Sequence, residues 1–255
     1  MNGSQHTPAL EISGLTKRFG PKTAVSSLSM TVPRGSFYGF VGPNGAGKTT
    51  ALSMATGLLR PDAGTVQIAG IDVWAHPTEA KRRIGVLADG VVLFEKLTGE
   101  QLVTYAGLLR GMDRHTVAER TADLLRVLGL EEAAGKQVQD YSAGMTKKIA
   151  LASAMVHAPE LLVLDEPFEA VDPVSARTIR GLLDSFAASG GTVILSSHVM
   201  ELVQRMCSHV GIIAEGELRV AGSLDEVSGE RDLESVFVEL VGSDGAGEGL
   251  EWLRG

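Results

Sequence analysis

The segment 42–49 reads Gly-Pro-Asn-Gly-Ala-Gly-Lys-Thr and matches the pattern G-x-x-x-x-G-K-[ST]. Its glycines let backbone N–H groups fold around phosphate oxygens, and the helix predicted from Lys48 adds the positive end of its dipole. The Lys48 ammonium would contact β- and γ-phosphates, and the Thr49 hydroxyl would coordinate Mg²⁺. An apolar run precedes this phosphate loop, as a strand would, so we predict triphosphate binding over an ordinary glycine-rich turn. The candidate phosphate-binding residues are Gly42, Pro43, Asn44, Gly45, Ala46, Gly47, Lys48, Thr49 and Thr50.

Two adjacent acids, Asp165 and Glu166, directly follow the apolar run 161–164. At a strand end beside the phosphate loop, Asp165 would hold Mg²⁺ and Glu166 would orient and deprotonate the attacking water. His198 follows another predicted strand, from which it would point at the γ-phosphate. Alone, the acids could cap a helix and the histidine could be a packed or surface residue. With the loop, we predict a catalytic set of Lys48, Glu166 and His198.

The bulk composition fits a globular enzyme subunit. The 255 residues are 44% hydrophobic, enough for one large domain or two lobes. We find no run approaching the roughly 18 to 20 apolar residues that span a bilayer, and no secretory segment in residues 1–7, so we expect a cytosolic chain. The net charge of −8 disfavours a nucleic-acid partner, and the few basic clusters are interpreted as solvated helix faces. The single cysteine, Cys207, excludes an internal disulfide and a cysteine metal cluster.

Strand and helix patterns alternate along the chain, which predicts an α/β fold. Predicted strands cover residues 9–13, 28–32, 37–41, 65–69, 84–87, 161–164, 192–196 and 209–214. Predicted helices cover residues 48–57, 99–110, 114–128, 142–157, 173–188 and 199–206. The block 90–157 has almost no strand signal and is interpreted as a helical insert. The strands before residue 75 suggest a small antiparallel layer, and residues 242–249 suggest a flexible tail.

In this order, the motifs resemble those of the ATP-binding cassette (ABC) family, specifically the nucleotide-binding subunit of a transporter. The resemblance spans nearly the whole chain and implies a P-loop NTPase (RecA-like) core with an antiparallel β subdomain and a helical insert. It implies one domain over residues 1–242, with the β layer and P-loop core at about 8–89, the helical subdomain at about 90–157, the rest of the core at about 158–222 and a closing segment at 223–242. Residues 243–255 are expected to form the tail.

The resemblance also assigns roles to single residues. Phe19 matches the aromatic that stacks on adenine, where tyrosine is more usual. Asp172 matches the aspartate of the D-loop, and His198 matches the switch histidine. Asp89 stands where the family carries a glutamine, and it could still reach the metal through water, so Thr49, Asp165 and Asp89 are the expected metal ligands.

The signature segment, which we define as Ser142, Ala143, Gly144 and Met145, follows Tyr141 where the family has Leu-Ser-Gly-Gly-Gln. A helix beginning here would aim the Ser142 hydroxyl, backbone N–H groups and a dipole at a phosphate. In the family, that phosphate belongs to ATP on the opposite subunit, so the resemblance implies two cassettes closing head to tail. Because Ala143 and Met145 depart from the family pattern, a plain serine cap is the alternative.

The function implied is an ATP-hydrolysing subunit, using ATP and Mg²⁺, that drives an integral membrane permease on a separate chain. Its second partner would be another cassette, in a homodimer or heterodimer, at the inner face of the cell membrane. Residues 233–242 resemble a closing segment of bacterial drug, antibiotic and polysaccharide exporters, although an amphipathic terminal helix explains them equally well. The alternatives are a soluble cassette ATPase acting on ribosomes or DNA, a low-turnover nucleotide-dependent interaction module and, least favoured, a small-molecule kinase.

Overall fold

The computed structural model describes residues 7–90 and 92–242. Its strands are β1 (Leu10–Phe19), β2 (Lys22–Val32), β3 (Phe37–Val41), β4 (Ala63–Ile68), β5 (Ile71–Asp72), β6 (Ile84–Leu87), β7 (Leu161–Leu164), β8 (Thr192–Ser197), β9 (His209–Ala214) and β10 (Glu217–Ser223). Its α-helices are α1 (Lys48–Ala55), α2 (Pro77–Arg83), α3 (Gly99–Leu109), α4 (Arg114–Val127), α5 (Ala143–Met155), α6 (Pro173–Ala188), α7 (Met200–Met206), α8 (Leu224–Ser228) and α9 (Leu233–Val241). The predicted tail 243–255 lies outside the described residues.

The strands form two sheets. Strands in the order β2-β1-β4-β5 make an antiparallel layer, and strands in the order β10-β9-β3-β8-β7-β6 make a second sheet. Within the second sheet, β9, β3, β8, β7 and β6 pair in parallel, and β10 is antiparallel to β9. Every residue of β3, β7 and β8 is buried, which explains the short apolar stretches in their sequences. The parallel strands end at one edge, so the loops that follow them lie together.

Helix α1 packs between the two sheets. Its Leu52 and Met54 join a core that contains Leu15 from the antiparallel layer and Phe40 from β3. The opposite face of the parallel sheet is covered by α6, α7 and α9, whose apolar residues form a second core. The phosphate loop, between β3 and α1, is therefore held by both sheets.

Helices α3, α4 and α5 form a helical insert with a core of its own. Each begins at a residue whose side-chain oxygen accepts a backbone N–H: Thr98, Asp113 and Ser142. Helix α5 belongs to two cores, because Ile149 packs in the insert while Leu151 packs against the parallel sheet. It is the element through which the insert is attached to the strands.

The predicted fold class is confirmed, with several differences in the elements. Strand β1 continues past the predicted end at residue 13, because an irregularity in its pairing between Ile12 and Leu15 lets the polar half, with Lys17 and Arg18, remain paired with β2. Helix α2 and strand β10 were absent from the prediction. In α2, Ala80 is the one residue in the buried class, and β10 has no residue in that class, so neither carries a strong apolar pattern.

Candidate functional site

The phosphate loop joins buried strand β3 to helix α1. Gly47, the residue before the helix, has φ +104°, and a Cβ there would lie 2.5 Å from the Ala24 carbonyl oxygen. Only glycine tolerates both this φ and this close approach, so the contact with β2 requires glycine at this position of the motif. The Lys48 Nζ donates to the carbonyl oxygens of Gly42 at 2.7 Å and Pro43 at 3.2 Å.

Lys48 is a buried cation, with 7% of its surface exposed. Burial lowers the pKa of its ammonium from the ordinary value, while the nearby Glu166 and Asp165 act in the opposite direction. A lysine at the centre of a loop of N–H groups provides a positive site suited to phosphate oxygens.

An open cleft of about 470 Å³ surrounds the loop. Its lining includes these predicted residues: Phe19, Asn44, Gly45, Gly47, Lys48, Thr49, Thr50, Asp89, Glu166 and His198. The Phe19 ring is 51% exposed, and Lys17 Nζ lies 5.8 Å from its centre, which leaves aromatic surface free for stacking. A second cavity of about 470 Å³, beside Arg120 and Glu160, contains none of the predicted residues.

Two acidic side chains follow β7 beside the phosphate loop. Asp165 is buried and accepts a hydrogen bond from the Ser196 hydroxyl of β8. Glu166 is mostly buried, and its Oε1 lies 3.0 Å from Nδ1 of the half-exposed His198. The Glu166 backbone N–H donates to Ser196 Oγ at 2.9 Å, so one serine contacts both acidic residues. This arrangement places a carboxylate and an imidazole at the cleft, where they could accept the proton of an attacking water.

The oxygen donors at the cleft suit Mg²⁺. Thr49 and Asp89 line the cleft, and Asp165 is buried directly after the end of β7. Hard oxygen ligands are those that Mg²⁺ prefers, commonly together with substrate phosphates and water. Within residues 7–90 and 92–242 there is no cluster of three or more His, Cys, Asp or Glu side chains that could hold a metal without other ligands.

Several predicted residues do not line the cleft. Gly42, Pro43 and Ala46 form the base of the loop, and the signature segment and Asp172 belong to other elements. Ser142 is exposed at the start of α5, and its Oγ accepts from the Met145 N–H at 3.3 Å. Asp172 caps α6 by accepting from the N–H groups of Val174 and Ser175. Hydrogen bonding with Ser175, first through its side chain and then through its backbone, lowers the pKa of the Asp172 carboxyl. The signature segment is thus presented away from the cleft of its own chain.

The structure adds residues that the sequence reasoning missed. Lys22, Ala24 and Glu169 also line the cleft, and Ser196 holds the acids from behind. Ser196 is polar yet completely buried in β8. A serine inside an apolar strand that leads to His198 was the available signal, because buried hydroxyls need a hydrogen-bonding partner.

Comparison with known proteins gives a consistent assignment. The ABC transporter family model matches residues 25–169. NatA, an ABC transporter ATP-binding protein of Bacillus subtilis (strain 168), is 34% identical over 240 residues, covering 91% of this chain and 98% of NatA. The daunorubicin/doxorubicin resistance ATP-binding protein DrrA of Streptomyces peucetius is 35% identical over 88% of this chain and 68% of its own length.

Solved structures agree on the fold. A structure described as the ATP binding subunit of an ABC transporter superposes with a TM-score of 0.85 at 27% identity, covering 91% of this chain and 99% of the other. A dimeric cassette bound to ADP and Pi, MJ0796, has a TM-score of 0.77 at 22% identity over 84% of this chain and 98% of its own, and supports the fold alone. The phosphate loop and the acids after β7 agree with the family match. The chain belongs to the ABC transporter family, among its ATP-hydrolysing nucleotide-binding subunits.

Proposed function

We propose that two cassettes close head to tail around two MgATP molecules and thereby drive a separate membrane permease, in the direction of export. The observation that carries the proposal is the exposed Ser142 at the start of α5, outside the cleft of its own chain. A helix start with a hydroxyl that can still donate its proton, together with backbone N–H groups, suits a phosphate. We therefore assign the start of α5 to the phosphates of ATP bound by a facing cassette.

Within each site, the chain's own residues divide the work. The phosphate loop and Lys48 hold the triphosphate, and Phe19 stacks on the base. Glu166 orients the attacking water and accepts its proton, and His198, 3.0 Å from Glu166, would contact the γ-phosphate. Mg²⁺, held by Thr49 and Asp165 with Asp89 acting through water, would neutralise charge on the phosphates.

The face around the cleft supports association of two cassettes. Val174, next to the D-loop, is 75% exposed, and Val199, next to His198, is 45% exposed. Isolated exposed apolar residues are common, but these two flank residues of the proposed composite site. Closing this face would exclude water from the phosphates.

Trapping the closed dimer tests the proposal. The change Glu166→Gln keeps the shape of the side chain and removes the proposed base, so we expect an ATP-bound dimer by light scattering after size-exclusion chromatography. Two disabled partners then test the orientation: Glu166→Gln with Lys48→Ala, and Glu166→Gln with Ser142→Arg. Each alone should stay monomeric, and their mixture should form a heterodimer with one intact site. A monomeric Glu166→Gln variant at saturating MgATP, or no heterodimer in the mixture, would contradict the head-to-tail arrangement.

The surface of the helical insert supports a membrane partner. Phe94 and Tyr105 are exposed and make an edge-to-face pair with ring centres 5.7 Å apart, and Leu109 is 68% exposed. Beside Asp89, a groove of about 430 Å³ opens between the insert and the core. Exposed apolar residues grouped in this way favour a protein partner. Within the described ranges, none of the helices combines the length and apolar character needed to span a bilayer.

The names of several relatives support the proposed direction of transport. Proteins similar to this chain are named for linearmycin resistance, daunorubicin/doxorubicin resistance and Nod factor export. We accordingly place the chain, as part of this proposal, at the inner face of the cell membrane with an exporter permease. Purification of the tagged chain from solubilised membranes should recover an integral membrane protein; recovery of ribosomes in its place would contradict the proposal.

A further inference from the structure

The backbone of Glu166 has a conformation that glutamate seldom adopts. Its φ is +46°, in the left-handed region, and Pro167 follows, which further restricts the preceding residue. A non-glycine residue stays in such a conformation only where neighbouring groups hold it. The direction of the Glu166 carboxylate therefore depends on the contacts of its own peptide groups.

Four contacts hold Glu166. Its N–H donates to Ser196 Oγ at 2.9 Å, and its carboxylate meets His198 at 3.0 Å. Its carbonyl oxygen accepts hydrogen bonds from Lys147 Nζ at 2.9 Å and, at 3.3 Å, from the N–H of Glu169 in its own loop. The first two contacts come from β8 and the residue that follows it, whereas Lys147 reaches across from α5. A side chain of the helical insert thus fixes the peptide between Glu166 and Pro167.

The packing of α5 fixes the position of Lys147. Its helix packs closely on α6 at Gly144, where an added Cβ would lie 2.6 Å from Asp172 Oδ2 and 2.7 Å from Ser175 Oγ. Lys147 lies in the following turn and is partly buried. It lines the groove beside Asp89, and it is not part of the lining of the phosphate-loop cleft. Its ammonium therefore contacts the Glu166 peptide from outside the lining of the phosphate-loop cleft.

We propose that Lys147 is a positioning residue for ATP hydrolysis. It holds the Glu166 peptide in the left-handed conformation that directs the carboxylate toward the attacking water, so the inference rests on the role of Glu166 proposed above. Without the Lys147 hydrogen bond, the Glu166 carbonyl oxygen keeps only the longer bond from the Glu169 N–H, so the peptide is held less firmly and the base is less well aimed. Misplacement of a catalytic group lowers turnover much more than binding, because ATP is held by other residues.

Three full-length variants test this role. Lys147→Met keeps the length of the side chain and removes the donor, Lys147→Arg keeps a donor, and Lys136→Met removes an exposed lysine elsewhere on the insert. We expect Lys147→Met to lower kcat by about 10-fold with KM for ATP changed by less than about 2-fold. Lys147→Arg should recover part of the loss, and Lys136→Met should behave as the original chain. If thermal melting shows that Lys147→Met is poorly folded, Lys147→Leu, which also lacks a donor, carries the same expectation.

A second measurement separates positioning from binding. In the Glu166→Gln background, adding Lys147→Met should leave the affinity for a fluorescent ATP analogue within about 2-fold. A larger loss would assign Lys147 to nucleotide binding or to folding and overturn the proposal. An unchanged kcat in Lys147→Met, with Glu166→Gln inactive, would also overturn it while leaving Glu166 as the base. Full turnover in Glu166→Gln would instead overturn the role of Glu166 itself.

Discussion

At the scale of single residues, the surroundings of His157 disfavour its protonated form. It follows α5, and its Nε2 donates to the Ile84 carbonyl oxygen at 3.0 Å, while Nδ1 is buried without a partner. Burial, then the charge of Arg110, lowers the pKa of His157 to about 4, and Arg120 acts in the same direction. The ring is therefore neutral in the folded protein at neutral pH.

This gives a pH dependence with a definite sign. As pH falls below the ordinary histidine pKa of about 6.5, the unfolded chain gains a proton that the folded chain does not accept until about pH 4, so the free energy of unfolding decreases. In His157→Gln, this contribution disappears, and we expect a smaller decrease between pH 7 and pH 5 in urea titrations. His115→Gln, a change at an exposed histidine of α4, should keep the original dependence. Equal slopes for all three proteins would show that His157 does not titrate in this way.

How far residues can be predicted from sequence depends on how local their chemistry is. The phosphate loop could be located because its glycines and Lys48 are contiguous and the strand before it is apolar. The left-handed Glu166 could not, because nothing in the sequence Asp-Glu-Pro requires that conformation. It is imposed by Ser196 and Lys147, which are distant in the chain. Lys22 was missed for the same reason: it reaches the cleft only through the pairing of β1 with β2.

At the scale of elements, the contact between α5 and α6 decides where the signature segment is presented. Gly144 is buried in this contact, and Asp172 and Ser175 occupy the space where a side chain would lie. A role for Gly144 in packing therefore accompanies the phosphate contact proposed for it. This close approach explains on physical grounds why glycine stands here although Ala143 has replaced a glycine next to it.

Gly144→Ala should consequently destabilise the protein. The added methyl forces α5 and α6 apart, and overpacking of this kind costs about 1–3 kcal/mol of unfolding free energy, measured by urea titration. The matched control is Gly181→Ala in α6, where a Cβ would meet nothing within 4 Å. Because alanine favours helix over glycine, this control should gain about 0.5–1 kcal/mol. Destabilisation of similar size in both variants would exclude the packing explanation.

The arrangement of elements could be predicted where apolar periodicity was strong. The parallel strands and α3 to α5 have long apolar patterns and were predicted within a few residues. Helix α2, with a single residue in the buried class, and strand β10, at the edge of its sheet, lack that signal. Their conformation is imposed by neighbours: β10 by pairing with β9, and α2 by its position directly before β6.

At the scale of the whole molecule, the sites proposed for ATP hydrolysis and for a membrane partner are formed by different residues. The cleft lies at the carboxyl ends of the parallel strands, whereas Phe94 and Tyr105 form an exposed pair outside the lining of the cleft. Changes on the insert surface should therefore separate the two activities.

Phe94→Ser tests this separation. We expect the variant to keep the ATPase rate of the isolated chain within about 2-fold and to lose co-purification with membranes, because the exposed ring pair is disrupted. Val127→Ser, at another exposed apolar residue of the insert, is the control and should retain both properties. Membrane recovery that is unchanged in Phe94→Ser would place the partner elsewhere on the molecule.

The turn between β9 and β10 reaches the phosphate loop directly. The Gly216 N–H donates to the Ala46 carbonyl oxygen at 2.9 Å, and its own carbonyl accepts from Ser26 at 2.8 Å. Gly216 therefore links the phosphate loop to the antiparallel layer through two backbone hydrogen bonds. Substitutions at Gly216 should therefore weaken nucleotide binding, as substitutions in the phosphate loop would. A genetic screen for loss of nucleotide binding should recover them, although Gly216 is remote in sequence from every motif.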